Sequence, residues 1–378
     1  MRSYAVLIAI YLAICGSLGA HFAMPSRESR VVTLLTHDNF DIRPDLIAEF
    51  ERTHEASVRF LKAGDAAEVL DRAVNAAGRP LADAIFGVDN AQLRRALAAD
   101  IFEPYRSPEL AFVPDRFQLD PSHRLLPVDF GDVGIVYDRD WFAARGLAPP
   151  CELADLTRPE YIGLTVVPDP AASSPGFAFL LATVARFGDP GYRDFWRDLR
   201  DNAVHVASGW KEAYWGHFTA AGRGDRPILV ACGAGPAAGP GVDAMPGDRN
   251  AYRRIEFAGV LRDAGNPELA RRLVDFLLGQ RFQADIPHRM HAFPVREAVE
   301  LPENFRFRAR IAESPPEIPP ERIERKREIW LAQWRETVFP RPGISRPFAG
   351  RDRLREIRSA GGCPSALDWK PESAKGTP

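Results

Sequence analysis

Cysteine is scarce in this chain. Its 378 residues hold four, Cys15, Cys151, Cys232 and Cys363. Cys15 falls in an N-terminal leader, and the other three are odd in number and widely spaced. That excludes a disulfide framework and any CxxC metal site, and leaves room for one bridge in an oxidising compartment. The histidines do not cluster at ligand spacing, so no metal site is expected. Neither a GxSxG elbow nor an HExxH motif occurs. An enzyme would have to build on a loose set such as Asp38, His291 and Ser173, and no catalytic residue is expected. An excess of one charge is missing too. The 49 Lys and Arg against 51 Asp and Glu leave a formal net charge of −2, which argues against nucleic acid as a partner. Beyond the leader no run is long and apolar enough to span a bilayer.

What is present begins with that leader. Arg2, the apolar run Tyr4 to Cys15 and the small residues up to Ala20 read as a secretory signal over residues 1–20. Ile14 is too large before Cys15 for a lipoprotein box. The remaining length suits two compact domains.

From Val31 the pattern reads strand, helix, strand, helix, strand, helix, which predicts a parallel sheet with helices on its faces. Ligands bind beyond the carboxyl ends of such strands, so His37, Asp38, Asp89 and Asn90 are candidates. Leu126 to Tyr137 is a long extended run broken by Gly131 and Gly134, suited to a crossing between lobes, and Arg254 to Leu261 suits the return. Between them, Tyr161 to Phe187 reads as a strand over Ile162 to Val167, a polar loop and a helix. Ser174 is the expected N-cap and Pro175 lies in the first turn. That helix start offers Ser173, Ser174 and free N–H groups to an anion or acceptor. Trp210 precedes a helix and is placed to stack on a planar or cationic ring. Arg322 to Val338 is a final amphipathic helix, and the Gly-, Pro-, Arg- and Ser-rich tail reads as disordered.

The order of these landmarks resembles one family. THDNF (Thr36 to Phe40), GVDN (Gly87 to Asn90), VDFGDVGIVYD (Val128 to Asp138), PDPAASSPG (Pro168 to Gly176), SGWKEAY (Ser208 to Tyr214), FQADIPHRMHAFPV (Phe282 to Val295) and WLAQWRE (Trp330 to Glu336) follow one another as they do in the periplasmic solute-binding proteins of ABC importers, and within them the thiamine-binding branch. The resemblance runs from about Val31 to Val338. It implies an α/β, two-lobed periplasmic-binding-protein clamp of type 2, each lobe a mostly parallel sheet flanked by helices. Lobe one would comprise 31–127 with a return segment at 252–296, and lobe two 128–251. A C-terminal helical segment (297–340) and the tail (341–378) would follow.

The resemblance also implies the function. A monomeric periplasmic protein would close on thiamine or a thiamine phosphate and deliver it to a membrane permease and ATPase, with no cofactor and no bond made or broken. It implies ligand contacts at Asp89, Ser173 and Trp210. His37 stands where the family has an aromatic ring, His291 where it has a stacking tryptophan, and Cys232 and Ala238 at about the places of two tyrosines. The expected ligand-binding set is therefore His37, Asp38, Asp89, Asn90, Ser173, Ser174, Trp210 and His291. Another small phosphorylated or cationic metabolite, such as a thiamine precursor, a sugar phosphate or a polyamine, is the alternative. An iron(III)-binding relative would want a Tyr-Tyr pair, and none occurs.

Overall fold

The computed structural model describes residues 30–232, 240–245, 247–303, 305 and 311–340. The signal segment, Ala238, Cys363 and the tail lie outside the described residues. Val31–Thr36 (β1), Pro44–His54 (α1), Ser57–Lys62 (β2), Ala66–Asn75 (α2), Ala84–Asp89 (β3) and Leu93–Ala98 (α3) alternate as the apolar pattern requires. Phe102–Glu103 (β4), Leu126–Asp138 (β5), Arg139–Arg145 (α4), Thr165–Pro168 (β6), Ser174–Phe187 (α5), Gly191–Asp201 (α6) and His205–Ala207 (β7) follow. Ile228–Cys232 (β8), Val242–Ala244 (β9), Tyr252–Leu261 (β10), Pro267–Leu278 (α7), Gln280–Arg289 (α8), Phe293–Pro294 (β11) and Pro320–Val338 (α9) complete the order. No helix among the described residues is long and apolar enough to cross a membrane.

The main strand order is β2-β1-β3-β10-β5-β8-β6-β7. The outer triplets β2-β1-β3 and β8-β6-β7 are parallel. The two strands joining them, β10 and β5, run antiparallel to each other and to their outer neighbours. The mostly parallel sheet expected of each lobe therefore ends at an antiparallel seam. β1 and β3 are near-continuous apolar runs because helices cover both faces, whereas edge strand β2 alternates toward solvent.

The seam is also where the hydrophobic core divides. Phe130 and Ile255 belong to one core with β1, β3, α1, α2, α7 and α8. Val133 and Tyr252, three residues away along the same two strands, belong to a second core with α5, α6 and α9. Helix α9 closes that second core: Trp330 and Trp334 are fully buried, and Trp334 meets Trp196 edge-on at 5.8 Å.

Two local readings change. The strand expected from Ile162 begins at Thr165, because Pro159–Tyr161 is a 3₁₀ turn that leaves Ile162 60% exposed. The N-cap of α5 is Ser173, one residue earlier than expected, and Ser174 is the first helical residue. Gln280–Arg289 is helical with Pro287 inside it. Cys151 is disulfide-bonded, the one bridge the cysteine count allows.

Candidate functional site

A cleft of about 330 Å³ opens where the two cores meet. One side comes from the loop after β1 (His37, Asn39, Asp41), from Asp65 and Ala66 at the start of α2, from Arg254 and Glu256 of β10, and from the end of α8 (Arg289 to Ala292). The facing side comes from Pro175 of α5, Trp210, Trp215, and Ala231 and Cys232 at the end of β8. These are carboxyl ends of strands, where a doubly wound sheet leaves its loops free.

The aromatic wall owes its form to one irregular turn. Trp210–Glu212 starts a helix that continues as a π turn over Ala213–His217. The π turn departs from the α-helical spacing between the two residues, and Trp210 and Trp215 line the same cleft. Tyr214 backs them, stacked on Trp210 at 5.1 Å and edge-on to Trp215 at 4.7 Å. Opposite stand His37 and His291. His291 holds a left-handed backbone (φ 53°) just past α8, a conformation rare outside Gly that turns its ring into the cleft. His37 needs Gly87, whose φ is +106° and whose missing Cβ would lie 2.5 Å from the imidazole.

Below the aromatic groups lies a charged floor. Glu256 is 2% exposed and pairs with Arg254 at 3.2 Å, while His37 Nε2 stands 3.4 Å away. Both neighbours of β10 are bulged beside Glu256, β3 at Gly87 and β5 at Val128, as strands often are where a side chain is re-aimed at a site. Burial alone would raise the Glu256 carboxyl, but Arg254 and His37 outweigh it and hold it at about 2. Asp129, directly opposite Glu256 across the β5–β10 pair, is fully buried; burial and then the Glu256 charge push it well above the usual carboxylate range. Glu256 is therefore the carboxyl that gives up its proton more readily, and Asp129 the one that holds it more tightly.

Three contacts tie the facing sides together. Lys211 reaches across to Asp38 at 2.7 Å, and Asp38 also accepts from the Gly64 N–H; that lysine holds the Asp38 carboxyl low. At the start of α5 the Ser174 N–H donates to Asp65 at 3.0 Å and its hydroxyl donates to Asp89. Beside that contact is a small recess bounded by Asp89, Gln92, Ser173, Ser174 and Arg327 of α9. Burial raises the Asp89 carboxyl and lowers Arg327. The Ser173 hydroxyl and Arg327 Nη1 have no hydrogen-bond partner among the described residues.

A family model for bacterial extracellular solute-binding proteins matches residues 79–311. The chain belongs to this family. Among curated relatives of this solute-binding protein, a Thiamine-binding periplasmic protein of Brucella suis is 26% identical over 88% of the chain and 98% of its own length. Another of that name, from Salmonella typhimurium, is 26% identical over 84% and 96%. A solved structure titled Periplasmic thiamin binding protein superposes with a TM-score of 0.72 at 24% identity, covering 82% of this chain and 96% of that one, and shows the shared fold.

In this solute-binding protein the eight expected site residues fall into four groups. His37, Trp210 and His291 line the main cleft. Asp89, Ser173 and Ser174 line the recess next to it, and Asp38 sits at the rim in its ion pair. Asn90 is not brought into either space. Its amide donates to the Tyr252 hydroxyl and the Arg253 carbonyl and accepts from the Ile255 N–H, fastening β10. Trp215, Asp65, Glu256 and Arg254 were not among the expected residues. For Trp215 the residue type was a signal, but α-helical spacing turns it away from Trp210.

Proposed function

We propose that this solute-binding protein takes thiamine or a thiamine phosphate into the main cleft, in the periplasm, and passes it unchanged to an ABC permease and its ATPase as a monomer. The observation that carries this reading is the make-up of the cleft. Two indoles face two imidazoles, and the carboxylates of Asp41, Asp65 and Glu256 outnumber the guanidinium groups of Arg254 and Arg289. A flat aminopyrimidine and a cationic thiazolium match stacking surfaces with a net negative lining. The volume suits a small ligand held by few polar groups. The names of the relatives support the same ligand.

The lobes we assign are 31–127 with 252–296 and 128–251, with 297–340 closing the second. The seam at β5 and β10 supports this division, since the two cores change over within three residues there. Opening by small adjustments along that seam, selected or driven by ligand, is the proposed mechanism.

Calorimetric titration of the mature chain with thiamine, thiamine phosphate and thiamine diphosphate tests the reading. One-to-one heat with at least one of them and a change in tryptophan fluorescence are expected. No heat with any of the three overturns the ligand assignment.

A further inference from the structure

On the face of the sheet edge formed by β7, away from the cleft lining, two histidines and a glutamate converge. His205 comes from β7, Glu212 from the end of the short helix Trp210–Glu212, and His217 from the end of the π turn that follows it. One potential ligand atom from each lies within 4.8 Å of the others. The π turn carries His217 back beside Glu212, five residues earlier, at 3.7 Å. The imidazoles of His205 and His217 approach to 3.9 Å between centroids.

We propose that His205, Glu212 and His217 form a binding site for a divalent transition metal ion of the zinc type. Three features of the geometry assign it. His205 Nε2 is buried without a hydrogen-bond partner among the described residues, the state of a ligand nitrogen awaiting an acceptor of its lone pair. Glu212 is already oriented: its Oε2 accepts from the Ser208 N–H at 2.8 Å and hydroxyl at 2.5 Å, while Oε1 points toward His217 Nε2 at 3.7 Å. His217 Nδ1 faces the Asp225 carboxylate at 4.0 Å. A carboxylate behind a ligating histidine and hydrogen bonds behind a ligating carboxylate are the supports that metal sites use to set tautomer and direction.

Two imidazoles and one carboxylate suit zinc and leave a fourth position for water. Around zinc the ligand atoms stand about 3.3 Å apart, so closing this set takes side-chain movements of about 1 Å. The positive group nearby is Arg226, which is engaged by the Gly163 and Ala203 carbonyls and by Asp225. A metal here would fasten β7 to the turn that carries Trp210 and Trp215.

The test is titration of untagged mature protein with zinc chloride, and with cobalt chloride read by visible absorption, in the absence of any organic ligand. One equivalent is expected to bind, with a rise in melting temperature. His205→Ala and His217→Ala are expected to abolish that equivalent while keeping the metal-free circular dichroism spectrum. Ser208→Ala is expected to weaken it about 10- to 100-fold through the loss of support to Glu212. Should a histidine variant fail to fold, copper(II) on the wild type must show nitrogen hyperfine coupling from two imidazoles. No binding, binding that both histidine variants retain, or a copper spectrum without imidazole nitrogen overturns the proposal and leaves a stacked histidine pair with an ion pair.

Discussion

Asp129→Asn isolates the buried charge arrangement beneath the cleft. Asp129 and Glu256 face each other across the seam, both buried, and two like charges so placed destabilise a sheet. The conflict is resolved by a proton on Asp129, whose folded pKa lies well above the ordinary 3.8 because of burial and then Glu256. A raised folded value means that the native state holds a proton the unfolded chain has lost. The stability from this group is complete below about pH 4 and falls as pH rises, by up to about 1.4 kcal/mol per unit, until Asp129 ionises in the native protein. Glu256 has the opposite sign, and its contribution is lost only as pH falls from about 4.5 toward about 2. The substituted amide keeps the shape, offers an N–H to Glu256 and does not titrate. Urea unfolding from pH 4.5 upward should therefore show the variant gaining on the wild type as pH rises, by at most about 1.4 kcal/mol per unit, until Asp129 ionises. Two parallel pH profiles would refute the protonated Asp129.

Other perturbations separate binding from folding. Trp210→Ala and Trp215→Ala should each weaken thiamine binding by about 3- to 30-fold, as loss of an aromatic face from a cation does, with unfolding midpoints close to wild type; equal affinities in calorimetry would remove the aromatic wall from the site. Asn90→Ala should cost about 2–3 kcal/mol in urea unfolding, because the Arg253 carbonyl and Ile255 N–H lose their partner, yet leave ligand affinity unchanged in the folded protein. A double-mutant cycle on Asp38→Ala and Lys211→Ala should give a coupling below about 1 kcal/mol that fades at high salt, as expected of a rim pair with side chains 37% and 62% exposed.

Much of this architecture is legible from residue pattern, and the failures share a cause. Pro44 to His54, Arg139 to Arg145 and Pro267 to Leu278 can be bounded from capping residues and apolar spacing, and the structure places the helices there. Gly131 and Gly134 mark the crossing strand because neighbours press on it: a Cβ at Gly134 would meet the Asn250 carbonyl at 3.0 Å. Strand-end logic brings His37 into the cleft but treats Asp89 and Asn90 alike. Which of two adjacent polar residues faces a ligand and which fastens a neighbouring strand depends on β10, far away in sequence. Trp215 and the His205–Glu212–His217 group are hidden by the π turn, since periodicity arguments assume 3.6 residues per turn. Lys211 and Asp38 meet only because two halves of the chain close over a common space.

The seam has a consequence for how the chain reaches its native state. Strand β3 pairs with β10, so Asp89 waits for Glu256 before its edge is covered. All of the second half from β5 to β9 is synthesised in between and can begin to gather Phe179, Tyr192, Phe195 and Trp196, which α9 covers later. The first half must meanwhile carry an unpaired apolar strand edge at Ala84 to Val88, the kind of edge that invites pairing with another chain. A topology with such distant partners folds slowly, and its intermediates are exposed to aggregation. Interrupting the chain before Leu261 would thus leave the β3 edge unpaired and the second core without Trp330 and Trp334.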